Sequence, residues 1–161
     1  MTAPQKITPC LWFESQAMEA AQFYVSVLGG SIDQVMRAST DTPGTRQGDV
    51  LLVSFTLAGQ SYQALNGGKH EAFNDSVSLS VRCEDQAEVD RLWAALTADG
   101  GRPVQCGWLK DRWGLAWQIV PRQLPELLAS PDEAKVRRVM LAMMEMQKIV
   151  VAELQAAADA A

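Results

Sequence analysis

One order of patterns occurs twice along this chain, and that repetition restricts the fold more than any single motif. The first pass begins with the short apolar run ITPCLWF, residues 7–13. It continues into the amphipathic segment SQAMEAAQFYVSVLGG, where Ser15 is placed as N-cap and Gly29-Gly30 as the stop. The second pass opens on SVSLSV, Ser76 to Val81, whose strict alternation marks a half-buried strand with Val77, Leu79 and Val81 packed under a helix. That helix starts with Asp85 and Glu88 in capping-box spacing, carries Val89, Leu92, Trp93 and Leu96 on one face, and stops at Gly100-Gly101. Three strand-like pieces follow each helix. In the first pass these are SIDQVMRA, DVLLVSFTLA and QSYQALN, with a break at Ala58-Gly59; in the second they are RPVQCG, WLKDR and LAWQIV. The unit is thus predicted as β-α-β-β-β, present as modules of about residues 7–66 and 76–121. Polar, turn-rich stretches at 39–48 and 66–75 form long loops, the second joining the modules.

From Ser130 the chain changes character. Ser130 as N-cap, Pro131 at the first helical position and Glu133 closing a capping box predict a long C-terminal helix, an extension over residues 131–161. Val136, Val139, Met140, Met143 and Met146 give it an apolar stripe, read as core or subunit packing rather than as a cofactor box.

A chain of 161 residues, 48% of them hydrophobic, is enough for one ordinary domain with a sizeable core. Charges interrupt every apolar run, so a membrane span is not expected. The N-terminus MTAPQKITPC lacks a basic head before an apolar block, which makes the cytoplasm the expected compartment. Cys10, Cys83 and Cys106 include no CxxC pair and read as free thiols. A net charge of −5 without a basic cluster argues against a nucleic-acid partner. His70 is the single histidine, which removes two-histidine zinc sites.

The segments ITPCLWFESQAMEAAQFYVSVLGGS, ALNGGKHEAFNDSVSLSVRCEDQAEVDRLWAALTADGG and QCGWLKDRWGLAWQIVPRQLPELLASPD resemble the PhnB-like branch of the vicinal oxygen chelate superfamily. That superfamily includes glyoxalase I, extradiol dioxygenases and fosfomycin- and bleomycin-resistance proteins. Members of the branch often carry the name 3-demethylubiquinone-9 3-methyltransferase. The resemblance runs from Ile7 to about Asp132, and "ALNGG", "CGWLKDRWGL" and "WQIVP" are its most specific pieces. It implies an α+β fold: two βαβββ modules forming a curled eight-stranded mixed sheet around a cavity, within a domain over residues 1–130. It also implies a homodimer with one cavity per subunit.

In metal-using members of the superfamily, His and Glu side chains on the strands hold a divalent ion in the cavity. Strand alternation groups Thr8, Cys10 and Trp12 on one face, Ser76, Ser78 and Ser80 on another, and Ala116, Gln118 and Val120 on a third. The resemblance puts the ligand positions at about Thr8, Ser76 and Gln118. Neutral hydroxyl and amide oxygens are poor ligands for Zn²⁺ or Fe²⁺, and bind Ca²⁺ or Mg²⁺ only with charged help. The expectation is therefore a protein with no catalytic metal at the usual site and no cofactor. Methyl transfer is not expected either. The glycines occur as isolated pairs, not as the Gly-rich turn of a nucleotide-binding crevice.

Several residues carry two readings each. His70, in the loop NGGKHEAFND, is either a general base at the cavity mouth or an exposed loop histidine. Asn66 either hydrogen-bonds a ligand or begins a turn. Trp12 and Trp108 suit a ligand wall, with a core residue as the other reading of Trp108. Cys106 reads as a small buried hydrophobe before a reactive thiol, and Lys110-Asp111-Arg112 as a solvated hairpin turn before an anion holder. The leading expectation is a binding module, or an enzyme of unknown reaction, that takes a small aromatic or hydroxylated molecule through Thr8, Trp12, Asn66, Ser76, Ser78, Trp108 and Gln118. The alternatives are a metal-dependent lyase or dioxygenase with a displaced ligand set, and a dimer whose role is protein interaction.

Overall fold

Leu11 and Phe13 point one way and Cys10 and Trp12 the other, so the first strand buries one face and leaves the second open. This strand, β1 (Cys10–Phe13), is followed by α1 (Ala17–Leu28), β2 (Gly30–Arg37), β3 (Val50–Leu57) and β4 (Gln60–Asn66). The second pass gives β5 (Ser78–Cys83), α2 (Gln86–Thr97), β6 (Arg102–Pro103), β7 (Trp108–Lys110) and β8 (Ala116–Pro121). Three helices close the chain: α3 (Gln123–Leu128), α4 (Glu133–Met144) and α5 (Val151–Asp159). The structure is a computed structural model describing residues 5–160, and the chain divides into two units, residues 1–71 and 72–161.

Each unit contains its own mixed sheet, with order β1-β4-β3-β2 in the first and β5-β8-β7-β6 in the second. The expected β-α-β-β-β order is present twice, but the eight strands do not form one curled sheet. The first strand of each unit pairs parallel with the last strand of the same unit, which satisfies its backbone there.

In the first unit the buried face carries Leu11, Phe13, Val53, Phe55 and Ala64 against Ala17, Ala20, Ala21 and Tyr24 of α1. Phe55 stacks between Tyr24 and Tyr62, with ring centroids 6.4 and 5.6 Å away. In the second unit Leu109, Trp117 and Ile119 lie on the face that meets Val89, Leu92 and Leu96 of α2. The alternation expected across Ser76–Val81 holds only from Ser78. Val77 precedes the strand and is 68% exposed, so it packs under no helix.

The helix starts are set differently from their expected caps. Asp85 caps α2 as expected, accepting Glu88 N–H at 2.9 Å, while the Glu88 carboxylate accepts Glu84 N–H at 2.8 Å. Ser15 is not the cap of α1. The preceding residue is Gln16, which gives no side-chain cap, and Asn66 Oδ1 accepts Ala17 N–H at 2.8 Å instead. Asp132 caps α4 through Lys135 N–H at 3.1 Å, and the expected cap Ser130 serves one turn earlier by accepting Asp132 N–H.

The long C-terminal helix is interrupted between Met144 and Val151. Cys106 N–H and Gly107 N–H donate to the carbonyls of Met146 and Gln147 at 2.8 and 2.7 Å, which engages those carbonyls outside any helix. Gln86 then clasps it, donating to Ile149 O at 3.0 Å and accepting Val151 N–H at 2.7 Å. The methionine stripe splits accordingly. Val139 and Met146 join Leu124, Ile149, Leu154 and Ala158 in a small core, whereas Met140 is exposed.

Candidate functional site

Gln118 lies in the middle of β8, with Ser80 of β5 on one side and Trp108 of β7 on the other in register. The three make a row across the open face of the second sheet. Gln118 Nε2 donates to Ser78 Oγ at 2.9 Å, a diagonal contact that fixes the amide plane. Ser78, Trp108 and Gln118 are all half-buried. An amide held by one N–H keeps its carbonyl oxygen and second N–H for a ligand, and the adjacent indole offers an apolar wall. Lys110 reaches the same face and pairs with Asp75 at 3.1 Å.

The open face of the first sheet is ordered in the same way. Register aligns Trp12, Leu65, Leu52 and Met36 as an apolar row across all four strands. Beside it Cys10, Gln63, Ser54 and Gln34 form a polar row. Trp12 is 44% exposed. Its indole N–H is already spent on Gly68 O at 3.0 Å, so what it presents is its apolar ring. A Cβ at Gly67 would stand 2.2 Å from that ring, so glycine is required for the loop to pass it.

His70 is exposed and sits over Trp12, with ring centroids 5.9 Å apart. Its Nε2 lies 2.6 Å from Trp12 O. A carbonyl only accepts, so Nε2 carries the proton and any base role falls to Nδ1. Asn66 is turned the other way. Its Oδ1 caps α1, its Nδ2 donates to Val50 O at 2.9 Å, and its carbonyl accepts Thr45 Oγ1 at 2.7 Å. Thr8 and Ser76 both lie outside the strands, and Ser76 belongs to a turn in which its N–H donates to Asn74 Oδ1.

The turn at Lys110-Asp111-Arg112 is not solvated as expected. Asp111 is 2% exposed and accepts from Trp113 N–H at 2.9 Å, Leu115 N–H at 3.1 Å and Trp117 Nε1–H at 2.9 Å. Three donors repay the burial of its charge. Arg112 pairs with Asp99 at 2.8 Å and lies over the Trp113 ring. Burial, with Glu88 adding to it, pushes the Cys83 thiol up to about 12, and burial raises Cys10 too. Both are therefore thiols, not thiolates, at neutral pH.

With both sheets in place, the likeness to known proteins can be read on geometry as well as on sequence. The family described as 3-demethylubiquinone-9 3-methyltransferase matches residues 5–120. The chain belongs to the PhnB-like branch of the vicinal oxygen chelate superfamily. A putative 3-demethylubiquinone-9 3-methyltransferase, PhnB protein, from Bacillus cereus is 32% identical, with a TM-score of 0.65 over 73% of this chain and 99% of that one. Protein PA1353 from Pseudomonas aeruginosa shares the fold at 24% identity, with a TM-score of 0.58 over 73% of this chain and 97% of that one. The fosfomycin resistance protein FosX from Listeria monocytogenes, complexed with Mn(II) and sulfate, shares it at 13% identity and a TM-score of 0.53, over 79% of this chain and 97% of that one. No curated protein matches the sequence.

The donor set of this PhnB-like chain does not fit a divalent metal. No group of three or more His, Cys, Asp or Glu side chains placed to hold a metal ion occurs among the described residues. The position on β8 holds a neutral amide, and the other two expected positions are hydroxyls off the strands. Reading the sequence alone missed Leu52, Ser54, Gln63 and Leu65. The signal was present in the alternation of DVLLVSFTLA and QSYQALN, which puts Leu52 with Ser54 and Gln63 with Leu65. The buried role of Asp111 also departs from the solvated turn expected there, and its signal was the buried-strand indole of Trp117, whose N–H needs an acceptor.

Proposed function

We propose that this PhnB-like protein binds a small aromatic or hydroxylated molecule without a catalytic metal, on the open face built around Gln118. The observation that carries the reading is the Gln118–Ser78 hydrogen bond beside Trp108, which holds a neutral donor-acceptor pair against an indole. Such a pair recognises hydroxyl or carbonyl groups and stacks an apolar ring. A carboxamide neither takes nor gives a proton at neutral pH, so these groups bind and orient rather than perform acid-base chemistry. Trp12 provides a similar apolar surface on the first sheet, and His70 Nδ1 is the candidate base beside it. Methyl transfer finds no support in the fold. Each sheet has only one parallel pair and lacks the parallel nucleotide-binding arrangement. We read the protein as a homodimer, as the branch implies, and place it in the cytoplasm on the character of its N-terminal sequence. No helix among the described residues is long and apolar enough to cross a membrane.

A thermal-shift screen over aromatic and hydroxylated metabolites tests this reading. A true ligand at about 100 times its Kd stabilises the folded state by about 2.7 kcal/mol. Gln118→Leu and Trp108→Ala should each abolish most of that shift while leaving the unliganded protein folded. Hits that shift both variants as much as the parent would place binding elsewhere. Stoichiometric divalent metal in protein purified without chelator would overturn the metal-free part.

A further inference from the structure

A polar groove lies in the first unit where β2 ends and β3 begins. It has a volume of about 540 Å3 and is lined by Ser15, Arg37, the turn Thr42–Arg46, Asp49 and Val50. That volume falls in the range of small-molecule sites. The loop forming its wall is held in place on several sides. Thr42 N–H donates to Thr45 O at 2.8 Å, Thr45 Oγ1 donates to Asn66 O at 2.7 Å, and Asp41 Oδ1 accepts Gln47 N–H at 2.9 Å. Gly44 sits so tightly against Gly67 and Gly68 that a Cβ on it would stand 2.1 Å from Gly68 N. The groove therefore has its shape before any ligand arrives, which lowers the ordering cost of binding.

Its chemistry is that of an oxyanion receptor. Arg37 spends one N–H on Gly48 O at 3.0 Å, which orients the guanidinium and leaves the rest of its donors. Arg46 pairs with Asp41 at 3.2 Å, but those side chains are 81% and 60% exposed, so water screens the pair and a ligand can replace it. Ser15 adds a hydroxyl, and Asp49 is the single carboxylate among the lining residues. The chain carries a net charge of −5, so its overall field repels anions and any anion held here must be held by these local groups.

We propose that this groove binds a small oxyanion, a phosphate ester or a carboxylate, whose neighbouring hydroxyl donates to Asp49. Arg37 and Arg46 make charge-assisted hydrogen bonds to the anionic oxygens, and Asp49 selects against an anion that has no donor beside it. The groove belongs to the first unit, whereas the Gln118 face belongs to the second.

Titration of the ¹⁵N-labelled full chain tests it, with glycerol phosphate, glycerate, inorganic phosphate and glycerol as probes. Saturable shifts of the amides of residues 42–49 are expected with glycerol phosphate or glycerate, and the stronger of the two identifies the anion. Weaker binding of inorganic phosphate and none of glycerol are expected. Arg37→Gln and Arg46→Gln should each weaken binding roughly tenfold. The high exposure of Arg46 makes its variant a safe control for folding. Absence of saturable shifts with every probe at millimolar concentration, or unchanged affinity in both variants, would overturn the site. Equal binding of inorganic phosphate would overturn the Asp49 contact.

Discussion

The two βαβββ modules repeat an order of elements, yet they are fastened by opposite means. Helix α1 begins without a local cap and takes its acceptor from Asn66, at the far end of β4. Helix α2 is capped by Asp85 and Glu88, within its own first turn. The hairpins reverse the contrast. β3 and β4 are joined by Ala58 and Gly59 alone, both at positive φ, so the backbone makes the turn. β7 and β8 are joined through a buried carboxylate, Asp111, that gathers two amides and an indole. A repeated pattern of apolar residues thus specifies the path of the chain, while the polar devices that close each module vary independently.

Removing Asp111 is the strongest test of that contrast. Asp111→Ala leaves three buried donors without their acceptor and should cost about 3 kcal/mol or more in urea unfolding. Asp111→Asn should recover only part, because its amide oxygen can keep the Trp113 and Leu115 N–H groups while its Nδ2 turns an N–H toward Trp117 Nε1–H. At the corresponding turn of the first module, Ala58→Gly relieves a left-handed alanine and should change stability by under about 1 kcal/mol. If the Asp111 variant were as mild as the Ala58 variant, the turn of the second module would also be a backbone turn and the contrast would fail.

The helix caps give the next effect. Asn66→Ala removes the acceptor of Ala17 N–H and the donor to Val50 O together, and should cost about 2 kcal/mol. Asp85→Ala removes one exposed local cap and should cost about 1 kcal/mol. Hydrogen exchange separates them further. Loss of Asn66 should raise exchange both at the start of α1 and at the start of β3, whereas loss of Asp85 should be felt only in the first turn of α2.

What could be read from the sequence follows the same division between local and distant causes. The order of elements, the cap at Asp85 and the face carrying Gln118 are set by residues within a few positions of each other, and periodicity exposes them. The cap at Asn66 is 49 positions from the amide it holds, and nothing in QSYQALN distinguishes it from a turn residue. The break after Met144 has no Gly or Pro to announce it, because its cause is Cys106, Gly107 and Gln86 in other parts of the unit. Asp111 looked solvated because Lys110 and Arg112 flank it, yet those two leave to Asp75 and Asp99 and the carboxylate turns inward. Of the residues named for the site, Gln118, Ser78 and Trp108 share one face of the second sheet, and Thr8 and Ser76 fall off the strands.

The smallest effect contrasts two surface carboxylates. In the first module Ser31 and then Thr56 donate to Asp33, at 2.6 and 2.7 Å, and hold it below the usual carboxylate range. In the second, Lys148 at 2.6 Å and then Gln86 do the same for Asp90. A folded-state value below the unfolded one contributes stability that is fully present above the unfolded value and disappears as pH falls through the folded one. Melting temperature should therefore decline as pH falls below about 4, and Asp33→Asn or Asp90→Asn should each flatten part of that decline. Salt separates the two. The partners of Asp33 are neutral hydroxyls, so its share should persist at high ionic strength, whereas the share of Asp90 rests on a charge and should shrink. Equal salt sensitivity of both would mean that the Asp33 carboxylate is held by charge after all, and that here the modules are fastened alike.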